Sequence, residues 1–98
     1  MKRKLEFTAF AVLDLHDALE YHEAESPMLR DRFAAAVEAA VAEVEKRPNA
    51  YPVVTGKFRR VPVHGFRYGV YYRIFAGLIL VSAVYHASRD MGALHKRK

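Results

Sequence analysis

The sequence contains no cysteine and no tryptophan, and its five glycines are scattered along 98 residues. Without cysteine, the chain forms neither disulfides nor thiolate metal sites. The glycines fit no phosphate-cradling loop and no nucleophile elbow, which argues against nucleoside triphosphate use and acyl-transfer chemistry. We therefore expect a protein that uses no metal and no cofactor.

Long apolar runs are also lacking, and none approaches the roughly 20 residues that a membrane-spanning helix needs. Asp14 and Asp17 end the first apolar stretch, residues 7–13, before it could serve as the core of an export signal. The composition, 52% apolar and 28% charged, is typical of a folded soluble domain, and the length suits one domain over residues 1–98. We expect a cytoplasmic protein with no membrane partner.

Acidic residues are scarce in the second half of the chain. Residues 1–50 carry seven Lys/Arg and ten Asp/Glu, whereas residues 51–98 carry nine Lys/Arg and a single acid, Asp90. Both signs normally alternate on a protein surface, so this separation is unusual. A positive half attracts anionic partners such as nucleic acid, the ribosome or an acidic protein segment.

The first half of the chain predicts a strand and a helix. Residues 4–8 alternate polar and apolar side chains, which is typical of a strand with Leu5 and Phe7 facing the core. From about Ala9 the apolar spacing becomes three and four, which predicts a helix that keeps Asp14 and the other acids away from the core. The predicted buried face of this helix consists of Val12, Leu15, Leu19 and His22.

A second helix is predicted to follow at once. Ser26 is a favoured N-cap, and Pro27 suits the first helical position because its missing N–H would be unpaired there anyway. The helix is expected to end at Lys46 and Arg47, just before Pro48. Its predicted buried stripe consists of Leu29, Phe33, Val37, Ala40, Val41 and Val44.

The second half is rich in strand-forming residues and begins with a predicted turn at residues 49–52. Phe58 is expected to point inward, and Pro62 indicates an edge or irregular strand. Ala76 and Gly77 suit a tight hairpin. The predicted strands cover residues 57–63, 68–75 and 78–86.

The resulting order, β-α-α-β-β-β, predicts an α+β domain in which an antiparallel sheet carries an N-terminal helical hairpin on one face. Residues 95–98 are expected to form a loose basic tail.

Basic and aromatic residues interleave along the predicted C-terminal strands. Arginine binds phosphates and tyrosine stacks on bases, so such a surface suits nucleic acid. It would also suit metal-free RNA cleavage, which needs a base, an acid and cations around the phosphate. His86, at a strand end beside Arg89, is the acid–base candidate. The set consists of Arg59, Arg60, His64, Arg67, Tyr71, Tyr72, Arg73, Tyr85, His86 and Arg89.

The competing interpretation of this set is structural, with tyrosines filling a sheet face and arginines extending around them. We favour that interpretation for the tyrosines alone. For the arginines we expect one shared, anion-binding surface.

Several short motifs occur together in a specific order. They are Tyr21, Ser26-Pro27, Arg32-Phe33, Pro48, Tyr51-Pro52, Arg59-Arg60-Val61, residues 66–74 and residues 83–90. In this order they resemble the RelE/ParE superfamily, the toxins of type II toxin–antitoxin modules often labelled plasmid stabilisation proteins. The resemblance covers nearly the whole chain. It implies the same sheet-and-hairpin fold. It also implies a cognate antitoxin with an acidic and apolar segment that wraps the toxin. The toxin would contact operator DNA only through this antitoxin.

The resemblance implies one of two targets. ParE-like members act on DNA gyrase, and RelE-like members cleave mRNA in the ribosomal A site. The nucleases typically carry an arginine after the tyrosine that opens the penultimate strand, where this chain has Gly69 after Tyr68, and no tyrosine follows Tyr85. The ending, residues 86–90, is closer to ParE-like chains. We therefore favour a non-enzymatic ParE-like toxin.

Two alternatives stay open, a RelE-like metal-independent endoribonuclease and a degenerate, non-toxic member of the superfamily. The catalytic residues of a nuclease would be His86, Arg89, Arg73 and Arg60. The residues expected to bind a target or an antitoxin are Arg59, Arg60, Arg67, Arg73, Tyr85, His86 and Arg89.

Overall fold

The computed structural model describes residues 3–97, which form two helices, five strands and two short 3-10 segments. The helices are α1 (Ala9–Glu25) and α2 (Pro27–Lys46). The strands are β1 (Lys4–Phe7), β2 (Val53–Thr55), β3 (Phe58–Val63), β4 (Tyr68–Phe75) and β5 (Leu78–His86). The 3-10 segments are Pro48–Ala50 and Met91–Lys96.

A single residue, Ser26, separates the two helices. Its backbone N–H donates to the His22 carbonyl at 3.1 Å, and its hydroxyl accepts the Leu29 N–H at 3.0 Å. The same serine thus ends α1 and caps α2, with Pro27 in the first turn where no N–H is needed. The predicted boundaries of α2 are confirmed.

The sheet has the strand order β1-β5-β4-β3-β2. The predicted spans of β4 and β5 are confirmed, with Gly77 in the hairpin turn at φ 73°. The sheet is mostly antiparallel, as predicted, and the one exception among the described strands is β1, which runs parallel to β5 at one edge. Strand β2 was not predicted, because three residues are too short to show an alternating pattern.

The helical hairpin covers one face of the sheet. On α2, Phe33, Val37, Ala40 and Val44 are buried as predicted. On α1 the prediction for Val12 is wrong, since Val12 is 46% exposed and Ala11 is buried instead. Both sides of α1 carry apolar residues, among them Leu13 at 61% exposure, so the apolar spacing does not define which side faces the sheet.

A second buried cluster lies on the opposite face of the sheet. It consists of Phe58, Tyr71, Ala83, Tyr85 and Leu94. Leu94 belongs to the C-terminal 3-10 segment, which therefore lies against this face. His95 is joined to Thr55 by a hydrogen bond of 2.9 Å between Nε2 and Oγ1. The predicted loose tail is therefore wrong for residues 95–97, and Lys98 lies outside the described residues.

An ion pair with Asp14 on α1 fixes the end of the C-terminal segment at Arg97. The Asp14 carboxylate pairs with the Arg97 guanidinium, with 3.1 Å between Oδ1 and Nη2, and both side chains are about nine-tenths buried. Asp14 Oδ2 also accepts the Val84 N–H at 3.0 Å. The expectation that Asp14 faces away from the core is wrong, because its partner lies 83 residues further along the chain.

We expect Arg97→Met to lower the free energy of unfolding by about 3–5 kcal/mol, because it leaves the buried Asp14 carboxylate without a counter-charge. Urea denaturation measures this loss. The matched control is Arg47→Met, which breaks an exposed pair with Glu43 four residues earlier and should cost much less. Equal losses in the two variants would contradict a structural role for the buried pair.

Alkaline pH should destabilise the fold through Tyr72. Its hydroxyl donates to the Pro48 carbonyl at 2.7 Å, and burial raises the pKa of Tyr72 to about 12, although Arg59 opposes the rise. The unfolded tyrosine ionises near pH 10, so stability should fall as pH rises from about 10 to about 12. Tyr72→Phe should make this decline shallower in urea midpoints measured across that range, and the exposed Tyr21→Phe serves as control. An unchanged slope in Tyr72→Phe would refute the assignment.

Candidate functional site

Three arginines lie over aromatic rings on the sheet face opposite the helices. The Arg60 Cζ lies 5.8 Å from the Tyr71 ring centroid, and the Arg89 Cζ lies 4.3 Å from that of Tyr85. The Arg73 Cζ lies 5.1 Å from the Phe58 ring and 4.9 Å from that of Phe75. Guanidinium groups at such distances are attracted to the ring faces. We call Arg60, Arg73 and Arg89, with the rings beneath them, the arginine face.

The strand register explains how two of these arginines reach the same face. Arg60 on β3 is paired with Tyr71 on β4, so both side chains point to the same side of the sheet. Arg73 follows Tyr71 by two residues and therefore points the same way. Arg89 comes three residues after the end of β5 and returns over Tyr85.

Gly69 creates the space that Arg60 occupies. A Cβ placed on Gly69 would lie 2.7 Å from Arg60 Cζ, and closer still to Nε. From there Arg60 Nε donates to the Tyr71 hydroxyl at 3.2 Å. The position at which the nucleases carry an arginine is therefore covered by a guanidinium from the neighbouring strand.

The cations of the arginine face are not neutralised by protein carboxylates. None of the ion pairs among residues 3–97 involves Arg60, Arg73 or Arg89. Within the same residues, Arg73 Nε and the Tyr85 hydroxyl are buried without a hydrogen-bond partner. Such atoms are rare in folded proteins and costly to leave unpaired.

The tyrosine at the centre of the arginine face is neutral at physiological pH. Burial raises the pKa of Tyr85, and the charges of Arg97 and Arg89 only partly oppose that rise. The ring lies 5.5 Å from that of Tyr71, and the Arg97 Cζ lies 4.9 Å from its centroid. Tyr85 therefore presents a neutral π surface to cations.

Arg59 does not join the arginine face. Strand alternation turns it toward the helical side, where its Nη1 donates to the carbonyls of Tyr51 at 2.6 Å and Asn49 at 3.3 Å. Arg67 lies in the turn between β3 and β4, at one end of the sheet. The structure therefore groups Arg60, Arg73 and Arg89 and places Arg59 and Arg67 elsewhere.

His86 is also separated from Arg60 and Arg73. Its ring packs perpendicular to that of Tyr68 on the helical side, with 5.2 Å between centroids. The Ser88 N–H donates to His86 Nδ1 at 3.1 Å, and the Ser88 hydroxyl lies 2.8 Å from the same nitrogen. Because Nδ1 accepts, the neutral ring carries its proton on Nε2. The Ser88 partner, two residues after His86, was not predicted.

A cavity at the end of the sheet contains residues that the sequence analysis did not bring together. We call it the end recess, and it measures about 520 Å³. It lies between the end of α1, the β3–β4 turn and the end of β5. Its walls are Tyr21, His22, Gly65, Phe66, Arg67, Tyr68, His86 and Ser88. Spacing along the sequence could not reveal this group, because three distant segments supply it.

Neither α1 nor α2 is apolar enough over a sufficient length to cross a membrane. Among residues 3–97, no group of three or more His, Asp or Glu side chains is arranged to hold a metal ion.

We expect Gly69→Ala to displace Arg60 from Tyr71 without removing its charge. The new methyl group would overlap the flexible end of the Arg60 side chain, so the fold should survive with a small change in stability. In ¹⁵N-labelled protein, the Arg60 Nε–H resonance should shift as its bond to Tyr71 is lost, with Arg60→Gln identifying the peak. An unshifted resonance would show that Arg60 does not depend on the space over Gly69.

Comparison with known proteins supports this description. The chain matches the family described as ParE toxin of type II toxin-antitoxin system, parDE, over residues 5–91. No curated protein matches it in sequence.

Two solved structures share the fold. One is a chromosomal ParDE toxin–antitoxin system from P. aeruginosa, with a TM-score of 0.77 and 13% identity over 87% of this chain and 96% of that chain. The other is the toxin–antitoxin complex RelBE2 from Mycobacterium tuberculosis, with a TM-score of 0.61 and 23% identity over 88% and 99% of the two chains. The predicted α+β fold is thereby confirmed. With the family match over residues 5–91, these findings mean that the chain belongs to the ParE toxin family, within the RelE/ParE superfamily of type II toxin–antitoxin toxins.

Proposed function

We propose that the protein inhibits growth by binding DNA gyrase through its arginine face, and that a cognate antitoxin neutralises it by covering the same face. The observation that carries this proposal is the set of three guanidinium groups without carboxylate partners, lying over aromatic rings. A surface of this kind binds anionic side chains or phosphates without chemistry of its own. The match to the ParE family supports the choice of gyrase.

The separation of His86 from Arg60 and Arg73 favours binding over RNA cleavage. A metal-free ribonuclease needs its acid–base group within hydrogen-bond reach of the phosphate that its cations hold. His86 packs on Tyr68 at the helical side, whereas Arg60 and Arg73 lie over Tyr71 and Phe58 on the other face. Of the three arginines of the arginine face, Arg89 is the one that lines a recess together with His86.

Two surfaces suit the antitoxin segment that we expect, with acidic and apolar side chains. The arginine face would pair with its acids. An apolar groove of about 280 Å³, lined chiefly by side chains of β1 and the two helices, would take its apolar residues. Its apolar walls are Phe7, Leu15, Leu19, Ala34, Val37 and Val41. The two solved relatives are themselves described as a toxin–antitoxin system and a toxin–antitoxin complex.

Expression of the chain without its antitoxin should arrest growth, and the purified chain should inhibit supercoiling by DNA gyrase. Arg60→Gln and Arg73→Gln should each weaken inhibition by about tenfold or more, since a charge-assisted hydrogen bond contributes about 1.5–3 kcal/mol. The matched control is Arg32→Gln, which removes the same charge from an exposed position on α2 and should leave inhibition nearly unchanged.

Other outcomes would overturn the proposal. Cuts in A-site codons of translating mRNA that disappear in His86→Gln would identify a ribonuclease. Normal growth at high levels of soluble protein would identify a non-toxic member of the family. Equal effects of Arg32→Gln and Arg60→Gln would mean that net charge, rather than the arginine face, determines activity.

A further inference from the structure

The end recess presents a hydrogen-bond acceptor from a buried histidine. His22 is 6% exposed, and its ring stacks on Phe33 with 4.4 Å between centroids. Its Nδ1 lies 2.6 Å from the Ala18 carbonyl, which can only accept, so Nδ1 carries the proton. In the neutral ring Nε2 is then an acceptor, and it has no hydrogen-bond partner among residues 3–97. His22 lines the end recess, and Nε2 is the ring nitrogen that its bond to Ala18 leaves for a ligand.

His86 and Arg67 supply hydrogen-bond donors to the recess. His86 carries its proton on Nε2, because Nδ1 accepts from Ser88. Arg67 adds a guanidinium on the exposed turn that closes the recess. That turn is held to the strand end by a 2.7 Å hydrogen bond from the Ala87 N–H to the Arg67 carbonyl. The donors thus lie toward solvent and the acceptor lies deeper.

Aromatic rings form the walls between these groups. Phe66 and Tyr68 contact His22 at centroid distances of 5.2 and 5.6 Å, and Tyr21 contacts it at 5.3 Å from the outside. Tyr21 is 68% exposed, so its ring is accessible to a ligand from solvent. Base stacking on such rings is worth about 1–3 kcal/mol per base.

No carboxylate lines the end recess. The adjoining recess, of about 210 Å³, shares Tyr21, Tyr68 and His86 but contains Asp14 and Asp17. The smaller recess also contains Arg89, whereas the only charged side chain that lines the end recess is the cationic Arg67, so the end recess favours an anion. A volume of about 520 Å³ falls within the range of small-ligand sites, which runs from about 300 to 1,000 Å³.

We propose that the end recess binds a nucleotide, with the base between the aromatic walls and hydrogen-bonded to His22, and the phosphate at Arg67 and His86. The ligand that this site would recognise is a planar base that carries an N–H donor and is linked to a phosphate. Such a ligand is either a free nucleotide or one nucleotide within a single-stranded nucleic acid. This site is separate from the arginine face, and the inference does not depend on gyrase being the target.

Isothermal titration of the full 98-residue chain with adenosine 5′-monophosphate tests the site. Binding should weaken at least tenfold with adenosine, which lacks the phosphate, and with ribose 5-phosphate, which lacks the base. Purine riboside 5′-monophosphate lacks only the amino group and should bind several-fold more weakly, because it cannot donate to His22. This ligand comparison requires no change to the protein.

Arg67→Gln should weaken binding of the monophosphate at least tenfold. Lys57→Gln, which removes the same charge from an exposed turn that does not line the recess, should change it less than twofold. A five-nucleotide deoxyadenylate strand distinguishes the two kinds of ligand. Tighter binding of the strand than of the monophosphate, lost in Arg67→Gln, would support a nucleic-acid strand, and binding of the monophosphate alone would support a free nucleotide.

Three results would overturn the proposal. They are no binding of either ligand at millimolar concentration, equal binding of the monophosphate and inorganic phosphate, and equal effects of Arg67→Gln and Lys57→Gln. Since the titration contains no gyrase and no antitoxin, its failure would leave the proposed function untouched. Loss of gyrase inhibition would likewise leave the nucleotide site untouched.

Discussion

The buried ion pair between Asp14 and Arg97 connects the first helix to the C-terminal segment of the chain. Asp14 belongs to the first helix, Arg97 to the end of the chain, and both bond to the backbone of β5, at Val84 and Ser82. Burying two charges is costly, and the cost is offset here because both carboxylate oxygens accept hydrogen bonds and both terminal nitrogens of the guanidinium donate them. Through this pair the C-terminal segment is held on the sheet face opposite the helices.

As a result, the two faces of the sheet differ in how far they are covered and in which side chains they expose. One face is covered by the helical hairpin and contains most of the apolar core. The other is covered only in part, by Leu94 and its neighbours, and its remaining surface carries Arg60, Arg73 and Arg89 over aromatic rings. Arg97 lies over Tyr85 as well, but Asp14 neutralises it. The same ring therefore contacts one structural arginine and one arginine that is open to a partner.

Much of the fold was predictable because its causes are local. A capping serine followed by proline, an apolar stripe on α2 and a glycine in the hairpin turn each depend on neighbouring residues. The short strand β2 and the orientation of α1 were not predictable. Strand β2 is too short to show an alternating pattern. The orientation of α1 depends on which side of the helix packs against the sheet, and as a result Ala11 rather than Val12 is buried. The parallel pairing of β1 with β5 likewise depends on a contact between distant segments.

The positive charge of the second half and the motifs that identify the family can be read directly from the order of the residues. That order also determined that Arg59 and Arg60, as neighbours on a strand, must point to opposite sides. Folding was needed to establish which of the two joins Tyr71 and that His86 packs on Tyr68, away from Arg60 and Arg73. It was also needed to show that three distant segments enclose the end recess. The difference arises because periodicity reports how side chains alternate along one element, whereas the partners of a side chain come from elements that meet only when the chain folds.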